Sequence, residues 1–172
     1  RLRPLSRDEL ERYHRNALVP QVGLVGQQRI RASRILLIGA GGLGAPAALY
    51  LAAAGVGTIG LIDDDEVDVS NLQRQVIHAT AAVGRPKVDS AAEAIRALNP
   101  DVEVVAHRTR LTADNARDLL GGWDVVIDWT DNFPTRYLVN DAAVMLGLPL
   151  VHGAVLGFNA QVGVFDARRG PC

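Results

Sequence analysis

The sequence predicts an α/β fold of the Rossmann-like type, a mostly parallel sheet with helices on both faces that follows an N-terminal helical arm. From Arg34 onward, short apolar runs alternate with longer segments of helical character. The first apolar run leads into a glycine-rich turn at residues 39–44, and the second ends in an acid, Asp63. Ligands of such sheets bind beyond the carboxyl ends of the strands, so the chemistry is expected at those ends.

The composition is that of an ordinary globular protein. The 172 residues are 48% hydrophobic and 22% charged, which excludes a disordered or collagen-like chain and suits a single core. A formal net charge of −1 gives no overall field that favours nucleic acid or an anionic membrane, and no apolar run is long enough to span one. The only cysteine is Cys172, so an internal disulfide is excluded and a cytoplasmic protein is expected.

We predict two regions, an N-terminal helical arm at residues 1–33 and a Rossmann-like domain at residues 34–172. In the arm, Ser6 followed by Glu9 is typical of a capping box, and it predicts a helix that runs to about Asn16. The arm is rich in arginine, so we expect it to pack on a partner or to reach over a site.

The first half of the domain contains two predicted strands with one helix between them. Arg34–Gly39 is a compact apolar run that suits a buried strand. An Ala/Leu-rich helix is predicted from Leu43 to Ala54 and ends at Gly55. Thr58–Asp63 is the second strand, and a polar stretch follows it.

The second half of the domain supplies three more helices and four more strands. Asn159–Asp166 alternates polar and apolar residues, which predicts a less buried strand at the sheet edge. The other elements are predicted at Pro86–Leu98 (helix), Val102–His107 (strand), Thr112–Gly121 (helix capped by Thr112), Trp123–Trp129 (strand), Phe133–Leu146 (helix) and Pro149–Gly153 (strand).

The glycine-rich turn has the form GxGxxG, between a predicted strand and a predicted helix. Glycines at 39, 41, 42 and 44 permit a tight turn and a close approach of the backbone to a ligand. An acid at the end of the next strand, Asp63, can accept hydrogen bonds from ribose hydroxyls. The turn therefore predicts a nucleotide site, the alternative being a turn that serves packing only. Taken alone, the motif favours a dinucleotide dehydrogenase.

Further along the chain, two cations predict a second anion site. Arg74 lies in the polar run Ser70–Gln75, and Lys87 is the only lysine in the chain. Arg74 by a forked contact and Lys87 as a point charge could neutralise a polyphosphate. Each could instead be a surface charge. An ordinary dinucleotide-binding protein does not need this second site.

The fourth predicted strand ends in a polar cluster. Asp131 is placed either to hold Mg²⁺, which prefers oxygen ligands, or to cap the following helix. Asp128 lies within an apolar strand, so it is either paired or near the site. His152 follows another apolar strand and is interpreted as a satisfied core histidine.

Together these motifs resemble the ThiF/MoeB family of adenylyltransferases, relatives of the ubiquitin-activating enzymes. The likeness is strongest to sulfur-carrier adenylyltransferases of the molybdopterin-synthase and thiamine pathways. The residues that carry it are Arg12–Arg15, Gly39–Gly44, Ile62–Asp65, Ser70–Gln75, Gly84–Lys87 and Thr130–Asn132.

The resemblance implies ATP-dependent adenylation of the C-terminal glycine carboxylate of a small ubiquitin-like sulfur carrier that ends in Gly-Gly. Pyrophosphate is released. The resemblance also implies catalytic roles for Arg15, Arg74, Lys87 and Asp131. Asp131 is implied to bind Mg²⁺, and Arg15 to reach into the site of a second subunit in a homodimer. The implied nucleotide-binding residues are Gly39, Gly41, Gly42, Gly44, Asp63, Asp65, Ser70, Asn71, Gln73, Arg74, Lys87, Asp131 and Asn132.

The resemblance implies that the last residue, Cys172, is one ligand of a structural Zn²⁺ site, the alternative being an ordinary terminal cysteine. One thiol cannot supply such a site, so we expect further ligands downstream in a longer protein. An NAD-dependent oxidoreductase and an inactive carrier-binding module are the alternatives to the adenylation function. The sequence does not identify the carrier or its pathway.

Overall fold

A computed structural model describes residues 2–170 of the chain and contains one six-stranded sheet. Its strands are β1 (Arg34–Ile38), β2 (Thr58–Ile62), β3 (Glu103–His107), β4 (Val125–Asp128), β5 (Leu150–Leu156) and β6 (Asn159–Phe165). They are arranged in the order β3-β2-β1-β4-β5-β6. The helices are α1 (Arg7–Arg12), α2 (His14–Ala17), α3 (Gly23–Ala32), α4 (Gly44–Ala54), α5 (Lys87–Leu98), α6 (Ala116–Leu120) and α7 (Phe133–Leu146). Strands β1–β5 run parallel to one another, and β6 pairs antiparallel with β5.

Helices cover both faces of the sheet, as the sequence predicts. Neighbouring residues of β1 point to opposite faces, so Leu37 joins one core cluster and Leu36 the other. Small residues of α4, including Ala48, pack with α5 on the first face. On the second face the core comes from α6 and α7, including Val139. The Rossmann-like prediction is therefore confirmed.

The β5–β6 hairpin forms one edge of the sheet. Its pairing runs from Leu150 opposite Phe165 to Leu156 opposite Asn159. The predicted edge position of the last strand is confirmed, whereas β5 continues past its predicted end at Gly153. The apolar residues continue through Ala154–Leu156, so Gly153 was wrongly taken as the end of the strand; the residues beyond it become progressively exposed.

The N-terminal arm differs from the predicted single helix. The capping box is present, since Ser6 Oγ accepts from the Glu9 backbone N–H and the Glu9 carboxylate accepts from the Ser6 N–H. The helix ends at Arg12, because Tyr13 leaves helical geometry and turns its ring into the core. Its hydroxyl accepts a hydrogen bond of 2.8 Å from Asn99 Nδ2.

Helix α3 was not predicted. Its sequence, GLVGQQRIRA, carries two glycines and has no strong apolar face. It is held by a tertiary contact, since the fully buried Gln27 donates from Nε2 to the Ala54 carbonyl at 2.8 Å. The arm therefore packs on the end of α4 in its own chain.

The predicted cap at Thr112 is wrong. Helix α6 begins four residues later, at Ala116, with Asn115 at the N-cap position. The Asn115 side-chain oxygen accepts from the Thr112 backbone N–H at 2.8 Å, which closes a turn before the helix rather than starting it.

Within residues 2–170, no helix has the length and apolar character needed to cross a bilayer.

Candidate nucleotide-binding site

A cleft of about 810 Å³ opens at the carboxyl ends of β1, β2 and β4, where ligands of parallel sheets bind. It brings together most of the residues that the sequence singled out. Those that line it are Gly39, Gly41, Gly42, Asp63, Asp65, Ser70, Asn71, Arg74, Lys87, Asp131 and Asn132. Gly44, Gln73 and Arg15 are not among the lining residues of the described chain.

The glycine-rich turn uses its glycines for two different purposes. Gly39 has a φ of +95°, a conformation that side-chain-bearing residues rarely adopt. Gly41 and Gly42 face the cleft. A Cβ on Gly44 would lie 2.0 Å from the Gly39 carbonyl oxygen, so this glycine permits close packing of α4 on the turn. Gly44 is buried, and the nucleotide contact that the resemblance implied for it stays a prediction.

Asp63 is held rigidly at the end of β2. Its Oδ2 accepts from the Ala40 backbone N–H at 2.7 Å, and its Oδ1 accepts from the Asp65 N–H at 2.9 Å. Burial raises the pKa of Asp63, against the lowering effect of these two hydrogen bonds and of the Lys87 charge. The carboxylate therefore ties the glycine turn to the acidic loop and remains at the cleft wall.

The acidic loop after β2 offers ligands of the kind that a divalent cation prefers. Carboxylate oxygens of Asp63, Asp64 and Asp65 lie within 4.8 Å of one another. Asp131 lines the same cleft from the end of β4. Oxygen donors of this type suit Mg²⁺, and Mg²⁺ commonly completes its shell with water and nucleotide phosphates. The donor set therefore fits a magnesium–nucleotide complex.

The two cations of the predicted anion site occupy different environments. Arg74 is exposed, donates to the Ser70 carbonyl at 3.3 Å and places its side chain beside Gly42. Lys87 is only 5% exposed, and its Nζ donates to Asp65 Oδ2 at 2.7 Å. A surface role for Lys87 is therefore excluded, since a buried ammonium is kept where a charge partner or ligand holds it.

The loop between β4 and α7 excludes the capping interpretation of Asp131. Asn132, not Asp131, is the N-cap of α7, because Asn132 Oδ1 accepts from the Thr135 N–H at 3.0 Å. Asp131 is exposed to the cleft, and the described residues give its carboxylate no hydrogen bond or ion pair. Asp128 is paired with His152, which agrees with one of the two interpretations that the sequence left open for Asp128.

Two predicted residues lie away from the cleft or beyond the described chain. Arg15 is exposed on α2, in the N-terminal arm. This position leaves it free to contact a second molecule, which is the role that the resemblance implied. Cys172, the expected zinc ligand, lies outside the described residues.

The sequence reasoning missed several cleft residues. Gln75 lines the cleft although it is 3% exposed, and its amide oxygen is buried without a hydrogen-bond partner among the described residues. The sequence shows that Gln75 belongs to the polar run Ser70–Gln75, but it does not show which way the side chain points. Thr130 and Arg136 also line the cleft, the latter from the first turns of α7. No spacing signal pointed to Arg110, which enters from the loop after β3.

The comparisons with known proteins point in one direction. Residues 13–172 match the profile of the ThiF family. The probable adenylyltransferase/sulfurtransferase MoeZ of Mycobacterium tuberculosis is 56% identical over 94% of this chain and 41% of the relative. The sulfur carrier protein adenylyltransferase of Thermus thermophilus is 51% identical over 97% of this chain and 64% of the relative.

A solved structure gives the same result at the level of the fold. The tRNA N6-threonylcarbamoyladenosine dehydratase TcdA of E. coli is 30% identical, with a TM-score of 0.81 over 88% of this chain and 65% of that one. The chain thus spans less than two thirds of the length of the proteins it matches.

Proposed function

The chain belongs to the ThiF family, and from that premise we propose that it provides the adenylation site of a sulfur-carrier-activating enzyme. ATP and the C-terminal glycine carboxylate of a small ubiquitin-like protein react to form an acyl adenylate and pyrophosphate. Two relatives named as adenylyltransferases, each at least 51% identical to this chain, support the reaction class. We propose a cytoplasmic location, where ATP is available.

The observation that carries the proposal is the pairing of a glycine turn with two cations in one cleft. A helix N-terminus after a glycine turn offers backbone N–H groups to a nucleotide. Arg74 lies beside that turn, and Lys87, paired with Asp65, lines the same cleft, so both are placed to contact a triphosphate. An ordinary dinucleotide-binding protein does not need this second anion site.

The chemistry needs positioning and charge neutralisation rather than a general base. A terminal carboxylate has a pKa of about 3.5 and is ionised at neutral pH, so the nucleophile is ready. One carboxylate oxygen attacks the α-phosphorus, the bond to the bridging oxygen of pyrophosphate breaks, and pyrophosphate leaves with its electron pair. Fixed cations stabilise the charge that develops on the phosphoryl oxygens.

Mg²⁺ would be held by Asp131 together with nucleotide phosphates, with the acidic loop at Asp63–Asp65 on the same cleft. When bound, the ion neutralises phosphate charge and orients the triphosphate. The residues of this chain then hold the reacting groups in line and exclude alternative orientations.

The partner of the chain is proposed to be a second copy of itself, with Arg15 completing the neighbouring site. In mixed dimers, an Arg15→Ala subunit should be rescued by an Asp131→Ala subunit, because one of the two sites then holds both intact groups. No rescue, in mixed dimers verified by tags on each subunit, contradicts action across the interface. A zinc site that includes Cys172 stays a prediction.

Ligand protection against thermal unfolding tests the proposed nucleotide. Mg-ATP should raise the Tm in a concentration-dependent manner and NAD should not, since only a ligand of the native state stabilises it. Arg74→Ala should remove most of the ATP effect and leave the Tm of the free protein unchanged, because the exposed side chain makes few contacts. Protection by NAD but not by ATP contradicts the proposal.

A further inference from the structure

Asp131 stands between two residues whose backbone is fixed. On its C-terminal side, Asn132 caps α7 through its bond from the Thr135 N–H. On its N-terminal side, Thr130 is held from two directions. The carboxylate of Asp131 itself is exposed, so its position depends on these neighbours.

The first constraint on Thr130 comes from a buried carboxylate. Asp128 is 1% exposed, and its Oδ1 accepts from the Thr130 backbone N–H at 2.9 Å and from the Thr130 hydroxyl at 2.6 Å. Its Oδ2 accepts from His152 Nδ1 at 2.9 Å. Because both oxygens are engaged, rotation of the carboxylate would break bonds that no water can replace in this buried position.

The second constraint comes from α7. Arg136 donates from Nε at 3.0 Å and from Nη2 at 2.8 Å to the Thr130 carbonyl oxygen. Its guanidinium also lies 5.3 Å from the centre of the Phe133 ring, which restricts its rotamers. The N–H and the hydroxyl of Thr130 are therefore bonded to Asp128 of β4, and its C=O is bonded to Arg136 of α7.

We infer that Thr130 is a positioning residue, which acts with Asp128 and Arg136 to hold the Asp131 carboxylate in the cleft in the orientation that a magnesium–nucleotide complex requires. The inference rests on the proposed function only for the role of Asp131. His152 completes the arrangement by fixing the second oxygen of Asp128. Preorganisation of this kind matters because a flexible carboxylate must be ordered when the ion binds, at a cost in affinity.

The test is the Mg²⁺ dependence of ATP binding by the purified protein, measured by calorimetry with Mg-ATP and with ATP in EDTA. Thr130→Val removes the hydroxyl and keeps the shape of the side chain. It should reduce by about three- to tenfold the ratio of ATP affinity with Mg²⁺ to ATP affinity in EDTA, a ratio in which any direct contact of Thr130 with the nucleotide cancels. Thr130→Ser keeps the hydroxyl and should restore the gain.

A double-variant comparison separates positioning from general stability. In an Asp131→Ala background, Thr130→Val should have no further effect on Mg²⁺-dependent binding, because the group that it positions is gone. Equal losses from Thr130→Val with and without Asp131 overturn the inference, as does wild-type Mg²⁺ dependence in Thr130→Val. If the wild-type protein binds no ATP under either condition, the proposed function fails instead.

Discussion

Gln73 and Gln75 are two glutamines of the same polar run, Ser70–Gln75, but their side chains take different positions relative to the cleft. Gln73 is exposed and does not line the cleft, whereas Gln75 is buried at its wall with an unpartnered amide oxygen. A buried polar atom without a partner costs free energy in the free protein, and a ligand that bonds to it recovers that cost. We expect Gln75, and not Gln73, to contribute to nucleotide affinity.

The matched pair Gln75→Leu and Gln73→Leu tests this expectation. Gln75→Leu should keep or slightly raise the Tm of the free protein, since an unsatisfied amide is removed, and should weaken ATP binding about tenfold. Gln73→Leu should change neither quantity. Isothermal titration with ATP and a melting curve give both readouts. Equal ATP affinity in the two variants contradicts a ligand contact by Gln75.

At the scale of single residues, the sequence could identify the chemical types but not their directions. Asp63, Arg74, Lys87 and Asp131 were predicted and do line one cleft. The burial of Lys87 was not predicted, because burial depends on Asp65 and on the bridge between the acidic loop and the start of α5.

At the scale of elements, different glycines of the turn serve packing and ligand binding. A Cβ on Gly44 would meet the Gly39 backbone oxygen at 2.0 Å, whereas a Cβ on Gly42 would meet only the flexible Arg74 side chain, at 3.5 Å. Gly44→Ala should therefore destabilise the fold by about 3 kcal/mol or more, since backbone must move. Gly42→Ala should fold normally and weaken ATP binding. Urea unfolding and ATP titration distinguish the two; normal stability of Gly44→Ala contradicts the packing role.

The N-terminal arm carries a pH-dependent contact. Glu9 is 5% exposed, and burial tends to raise its pKa, but bonds from Ser6 and the charges of Arg31 and Arg3 outweigh burial and lower it. A lowered pKa means that the ionised carboxylate stabilises the fold above about pH 4.5, and that this stability is lost as the pH falls through the native value.

Glu9→Gln should therefore lower the free energy of unfolding by about 1–3 kcal/mol at pH 7, and the difference from the wild type should vanish in acid. Denaturant unfolding between pH 7 and pH 2 measures it. Glu11→Gln is the control, since the exposed Glu11 is given no ion pair within the described residues. A constant difference across this range contradicts the role of the Glu9 charge.

Element prediction succeeded where one physical signal dominated. The buried strands β1, β2 and β4 are short apolar runs, and they were recognised within a few residues of their ends. Helix α3 was missed because its stability comes from tertiary contacts such as that of Gln27, which leave little trace in the local pattern. The start of α6 was misplaced because Thr112 and Asn115 are both good capping residues.

At the scale of the molecule, the fold brings residues that are far apart in the chain to one edge of the sheet. Gly39, Asp63 and Asp131 follow three neighbouring parallel strands, so the parallel sheet predicted from the sequence places them at the same edge, whereas the strand order that makes them neighbours comes from the structure. A second subunit and a carrier protein are not part of one chain's fold, so their positions do not follow from its sequence.

The most direct test of the adenylation proposal is pyrophosphate–ATP exchange by the protein at its natural length, with a panel of carriers that end in Gly-Gly. We expect exchange that requires one carrier and is lost in Asp131→Ala, because reversible adenylate formation needs both the carboxylate and the metal-binding group. Binding of Mg-ATP without exchange in the presence of any carrier, when the panel covers every sulfur-transfer pathway, would contradict the account.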